Sequence, residues 1–389
     1  MGIFRDVFFS GRKWLLLILG LWLSGSGLQA QLQFGGYLSN MQDLMFEKVD
    51  QPWIHDNLIH NRLRAKWFAG EFFTANIELR NRFYYGTSLS IPGYNELFSR
   101  DAGWVDLSWD ITQGPSYILN SMIDRLWLNF RFNKFEIRIG RQRLNWGQTF
   151  VWNPNDIFNA YSFFDVDYPE KPGSDAIRIQ YFSGTASKIE LTAKLNHDDQ
   201  LTAGTRFTFS PGMYDIQYFA GILNSTDWVT GLGWSGSVGG AGFKGEVTFF
   251  QPRDSTFGSG SDLMASVGAD YVLKNSLALQ IELLYSSVNY SFGRFSDFYF
   301  MPLSVKNITF TDFNLFGQIS YPITPLFNGS FSMIWYPSIS GFFLGPTLSY
   351  SLSDNIDFSV FFQYFDGEFS KQAGRQKLNV GFVRLKWSF

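Results

Sequence analysis

The sequence predicts an all-β fold, a transmembrane antiparallel β-barrel, and three observations carry that prediction. Val383, Leu385, Trp387 and Phe389 occupy every second position up to a C-terminal aromatic residue. Along most of the chain, apolar residues alternate with Ser, Thr, Asn, Gln, Gly and charged residues instead of collecting in blocks. Aromatic residues make up 19% of the chain, yet beyond the N-terminus no stretch approaches the roughly 18 apolar residues of a spanning helix. Two chemically distinct strand faces with no second layer to bury either require lipid on one side and water on the other. A closed barrel supplies both, because closure pairs every backbone group and alternation sends neighbouring side chains to opposite faces.

The first thirty residues read as a secretory signal. Arg5, Arg12 and Lys13 precede the apolar run Trp14 to Leu23, and small residues lead to Ala30. The run is too short to cross a membrane, which takes about 20 residues as a helix. Residues 31–389 are then the barrel. An exported chain with no cysteine has no disulfide framework, thiol nucleophile or thiolate metal site. The net charge of −3 says nothing about partners.

Period-two segments of strand length fall near 31–40, 58–69, 72–85, 119–132, 135–146 and 175–182 in the first half. The second half adds 187–195, 200–210, 213–223, 227–237, 243–250, 262–272, 277–287, 308–321, 327–336, 341–351, 355–365 and 377–389. The total is about eighteen, an even number, as single-chain bacterial barrels have. Connections test the count separately. Short links rich in Gly, Pro, Asn and Asp alternate with longer ones, the longest near 86–118 and 147–174. Outward aromatics near strand ends, among them Trp67, Phe83, Tyr181, Tyr321, Trp335 and Trp387, match the girdles at the two membrane interfaces.

A barrel of this size encloses an aqueous lumen unless something fills it. The segment 146–174 is too polar and Pro-punctuated for a strand and too aromatic for a surface loop, so it is expected to fold inward as a constriction. Its candidate residues are Trp152, Asn155, Asp156, Asp165, Asp167 and Glu170. The inward faces of the early strands carry Arg62, Arg64, Arg80, Arg82, Arg138 and Arg178, with Arg141 and Arg143 just beyond. Facing lipid, each would cost roughly 2–4 kcal/mol at the bilayer midplane. In the lumen, guanidinium groups attract and clamp carboxylates and phosphates. Two arrangements remain open: the loop acids face the basic wall across a polar constriction, or they neutralise the arginines and pin the loop. Arg141 and Arg143 fall on the lipid-facing parity of Ile137 and Ile139, so either the parity flips at Gly140, the preferred reading, or the strand has left the hydrocarbon there.

The stretch Gly140-Arg141-Gln142-Arg143-Leu144-Asn145-Trp146-Gly147, with the polar loop behind it, resembles the GRQ-containing strand of outer-membrane porins of the alginate-export and related families. The resemblance implies a pore for acidic polysaccharides or small solutes, with an arginine row opposite a loop at Arg141 and Arg143.

These readings place the chain in the outer membrane of a Gram-negative bacterium, amid its lipids and lipopolysaccharide, with Phe389 as the signal to the barrel assembly machinery. The function expected is a channel for anionic or polar small solutes or oligosaccharides, with no cofactor and no nucleic-acid partner. The alternatives are a non-conducting barrel that binds surface polysaccharide or acts in envelope assembly, and, less favoured, a barrel hydrolase. His55, His60 and His197 show no metal spacing and no paired nucleophile. The Gly231-Leu232-Gly233-Trp234-Ser235-Gly236 run matches a dinucleotide fingerprint by letters only, since no helix follows it.

Overall fold

The computed structural model describes residues 30–288, 303–370 and 374–389. Apart from Ala30, the expected export signal lies outside the described residues. The first strands are β1 (Ala30–Phe46), β2 (Ile54–Ala69), β3 (Phe73–Gly86), β4 (Ser108–Gly114), β5 (Tyr117–Phe132), β6 (Phe135–Gln142), β7 (Ser174–Phe182), β8 (Ser187–Leu195) and β9 (Leu201–Phe209). They continue as β10 (Asp215–Leu223), β11 (Asp227–Val238), β12 (Ala241–Pro252), β13 (Asp262–Val272), β14 (Ala278–Ser286), β15 (Phe313–Thr324), β16 (Phe327–Tyr336), β17 (Gly341–Ser353), β18 (Ile356–Ser370) and β19 (Gly374–Ser388).

Each wall strand pairs antiparallel with its neighbours, β3 pairs directly with β5, and β19 returns to β1. Eighteen strands therefore close the cylinder expected from the alternation. Closure reaches the last residue, since the Phe389 amide donates to the Gly36 carbonyl and the Phe389 main-chain oxygen accepts from the Gly36 amide in return. Left-handed backbone at Gly70, Asn133 and Gly212 forms the tight turns of one rim, where only residues tolerant of positive φ fit cheaply.

Alternation sorts the faces as expected. On β1, Phe34 is 75% exposed and lipid-facing while Tyr37, on the opposite face, is 7% exposed. Ile139, Ile177, Leu232, Ile281, Ile319, Trp335 and Trp387 continue the outer belt. In lipid this belt gains what a soluble core gains by burial, about 25 cal/mol per Å².

Three elements depart from the expectation. β15 begins at Phe313, not at 308, because Thr309 donates to Asn314 and Asn314 donates to the Thr311 carbonyl, local bonds that hold the segment off the ladder. β6 ends at Gln142 rather than at 146, and the chain turns into the lumen there. The long connection 87–116 contains a short helix, α1 (Tyr94–Ser99), and the nineteenth strand, β4, which the sequence reading took for loop.

β4 explains how the wall survives the early end of β6. It forms a hairpin with β5 along Tyr117–Met122 and occupies the flank that β6 leaves empty, since β6 reaches only Leu126. An open edge in the wall is thereby paired. The expected parity flip at Gly140 does not occur: Ile139, Gly140 and Arg141 stay in unbroken register with Leu128, Trp127 and Leu126. Arg141 keeps the outward parity and is instead roofed by the segment 101–107.

Candidate functional site

The segment 143–173 packs against the inner faces of the wall strands, and its centre from Val151 to Asn159 is buried throughout. Apolar side chains fasten it to two neighbouring stretches of wall, β10–β13 and β15–β17. Trp146 and Phe158 pack with Phe219, Phe250 and Met264, while Val151, Trp152 and Phe164 pack with Phe316, Ile334 and Phe343.

Three wall carboxylates that the sequence reading passed over fasten the segment's polar groups. Glu282 on β14 accepts the backbone amides of Phe150, Val151 and Trp152 at 2.8–3.0 Å. Glu246 on β12 accepts those of Gln148, Thr149 and Asn155. Glu190 on β8 accepts the Trp146 indole at 2.7 Å and pairs with Arg206 at 2.9 Å. A signal was available: Glu246 and Glu282 are lone inward acids on strands whose other inward residues are mostly neutral, and a lone buried carboxylate needs donors.

Of the loop residues singled out from sequence, Trp152 is an apolar anchor. Asn155 is fully buried, donating to the Leu232 carbonyl and accepting from Thr248. Asp156 pairs with Arg143 at 3.2 Å. Asp165 accepts the amides of Asp167 and Tyr168 and so caps its own turn. Asp167 reaches His60 Nδ1 at 3.2 Å. Burial pushes its carboxyl upward, but the bond and charge of His60 and the charges of Arg80 and Arg82 outweigh this and hold it below the usual range. Glu170 accepts the Tyr37 hydroxyl at 3.1 Å and lies 4.0 Å from Arg62.

The arginines divide into two sets. Arg62 bonds Glu78 and Asp124, the latter at 2.5 Å. Arg125 holds Asp124 and the carbonyls of Glu170 and Lys171, tying the loop's return to the wall. Asp124 is the extra residue of a bulge where β5 slips against Glu78 and Leu79, which turns one more acid inward and which strict alternation hid. Arg138 and Arg178 share Glu136 at 3.5 and 3.2 Å. Arg141 bonds Asp175 at 2.7 Å and Asp101 at 2.6 Å inside the wall, and is not a free lumenal cation.

The second set has no carboxylate at ion-pair distance among the described residues: Arg64, Lys66, Arg80, Arg82, Arg384 and Lys386. The registers place them in successive rows. Arg384 lies with Met41 and Leu58, Lys386 with His60 and Arg82, Arg80 beside Arg62, then Arg64, then Lys66. Rows two residues apart are about 7 Å apart along the strand, so one side of the lumen carries a descending column of cations. Arg80 is buried against the Tyr168 ring at 4.2 Å, and Arg82 stacks on Phe98 and donates to its carbonyl.

No protein-family profile matches the chain, and no curated protein matches it in sequence. Solved structures do resemble it. Acinetobacter baumannii OccAB3 superposes with a TM-score of 0.57 at 11% identity, over 92% of this chain and 99% of that one. Pseudomonas aeruginosa OccK11 (OpdR) gives 0.56 at 9% identity over 92% and 96%, and P. aeruginosa OccK8 (OprE) gives 0.56 at 10% over 92% and 98%. At these identities the likeness is one of architecture, and the chain has the 18-stranded outer-membrane barrel fold of the Occ proteins.

Proposed function

We propose that this protein is an outer-membrane channel for small anionic and polar solutes. The observation that carries the proposal is the column from Arg384 through Lys386, Arg80 and Arg64 to Lys66, cations left free of carboxylates beside a segment that narrows the lumen. Rungs about 7 Å apart let a carboxylate or phosphate leave one guanidinium as it reaches the next. A site that binds weakly at several stations conducts better than one that binds tightly at one. Paired arginines hold the constriction in place, and unpaired ones meet the solute. The GRQRLNWG resemblance adds acidic oligosaccharides to the solutes worth testing, although Arg141 itself braces the wall.

Planar-bilayer reversal potentials in a KCl gradient test this. The native protein is expected to prefer chloride, and Arg64→Glu with Lys66→Glu to cut the anion-to-cation permeability ratio by about threefold or more. Cation preference in the native protein, or absence of conductance, overturns the reading. The latter outcome favours a sealed barrel.

A further inference from the structure

Above Gln142 and Ser174 the wall is not a continuous ladder. β6 and β7 both stop there, because the chain between them has gone inside. The gap is filled by 101–107 and β4, and β4 pairs only with β5. The segment 101–107 ahead of β4 meets the turn after β8 through an isolated bridge between Gly103 and Asn196, beside a bond from the Trp104 indole to Asp199 at 2.9 Å. The remaining fastenings are the Arg141 guanidinium, bonded to Asp101, Asp175 and the Val105 carbonyl, the Val105 amide on Asp175 at 3.0 Å, and the Ile123 amide of β5 on the Leu107 carbonyl. A wall strand of this barrel otherwise shares seven or more register positions with each neighbour, as β6 does with β5 and with β7.

Cavities lie on both sides of this seam. On the lumen side a space of about 240 Å³ is lined by Arg80, Arg82, Arg100 and Arg141 together with Asp101, Asp124, Asp165 and Asp167. On the membrane side a groove of about 500 Å³ is lined by Trp104, Leu107, Leu126, Ile139, Ile177 and Leu201. Arg141 borders both, and the partition between them is one backbone thick at Gly103, where a methyl group would collide with the Arg141 guanidinium. The groove is continuous with the lipid-facing belt, so hydrocarbon is what reaches it. The four acids of the lumenal space are committed, Asp101 to Arg141, Asp124 to Arg62 and Arg125, Asp167 to His60 and Asp165 to its own turn. Arg80, in contrast, is buried with its Nε unpartnered, so the group left to be met there is a cation and its complement is an anionic head.

We propose that the seam between β4 and β7–β8 is a lateral gate for amphiphiles, an anionic head held at Arg80 in the lumen and an alkyl tail passing between 101–107 and β8 into the outer-face groove. The proposal rests on the channel reading and extends it from small solutes to single-chain amphiphiles. Opening requires loss of the Gly103 bridge and of the Val105 amide bond to Asp175, with a swing of 101–107 about its Leu107 bond to β5 and Arg141 retained by Asp175 on the wall.

The chain has no native cysteine, so a Trp104→Cys, Asp199→Cys variant accepts a short reversible bis-methanethiosulfonate linker across the seam. In proteoliposomes, efflux of decyl sulfate and of ethyl sulfate, the same head without the tail, is measured with the seam locked and after reduction. Locking is expected to slow decyl sulfate about tenfold and to leave ethyl sulfate unchanged, as gating of one path requires. Equal decyl sulfate rates in the two states, or equal slowing of both probes, overturn the gate. Ethyl sulfate efflux no faster than from protein-free vesicles overturns the channel reading instead, and a locking effect on decyl sulfate alone still supports the gate in that case.

Discussion

A carboxylate facing into a barrel acts according to the donors that surround it. Glu282 and Glu246 meet backbone amides, so they are fasteners. Asp167 meets His60, so it ties the loop to β2. Removing a fastener exposes the cost directly. Glu282→Ala leaves three buried amides without acceptors, at roughly 1–3 kcal/mol each. The segment around Phe150 is expected to lose its purchase on β14, raising single-channel conductance and current noise, while Glu282→Gln, which still offers a carbonyl, shows a smaller effect. Unchanged conductance in the alanine variant would show that Trp152 and Phe164 hold the segment unaided. At this scale the sequence was half legible. Period two placed every arginine of β2 and β3 on the correct face, but it could not show that Arg62 is consumed by Glu78 and Asp124 while Arg64 is not, because pairing depends on a bulge and on a loop's path.

Elements show the same division. Strands declare themselves by alternation, since each has a lipid face and a water face, and all eighteen wall strands were found; β1 and β18 run five or six residues further than expected, β6 ends early, and β15 begins late because Asn314 organises the residues before it. Where the chain leaves the ladder, alternation is silent. β4 is seven residues long, sits inside a connection and faces partners that no periodicity reveals. Gly140 marks the departure. Its φ of 112° lies where side chains are strained, and a methyl group there would press on the Leu126 carbonyl. Gly140→Ala is expected to cost about 1–3 kcal/mol and to lower the temperature at which the barrel changes its gel migration. A variant with native heat-modifiability would mean that β6 can end without that kink.

The whole molecule is closed by its two ends. Gly36 and Phe389 exchange both backbone bonds, and Gly36 has no room for a side chain because a methyl group would strike the Arg62 carbonyl. Deleting Phe389 removes the last rung of closure together with the aromatic residue proposed as the assembly signal. Folded yield in the membrane is expected to fall severalfold, read by heat-modifiable migration, whereas Phe389→Tyr retains it. Equal yields from all three chains would remove the terminus from assembly. Closure itself was legible from sequence, through the even strand number and alternating loop lengths. Which residues touch across the lumen was not, because those contacts join positions far apart in the chain.

That separation has a kinetic meaning. The amide of Phe150 finds its acceptor 132 residues downstream on Glu282, and that of Asn155 finds Glu246 after 91. The stretch 148–155 thus has no acceptors for its amides until two-thirds of the cylinder has been laid down, and loop-closure entropy over such spans slows folding. Until then the polypeptide between β6 and β7 is moored only by its two ends, to Glu190 through Trp146 and to β1, β2 and β5 through 167–171. Maturation of the constriction must be a late event, following the wall and not guiding it.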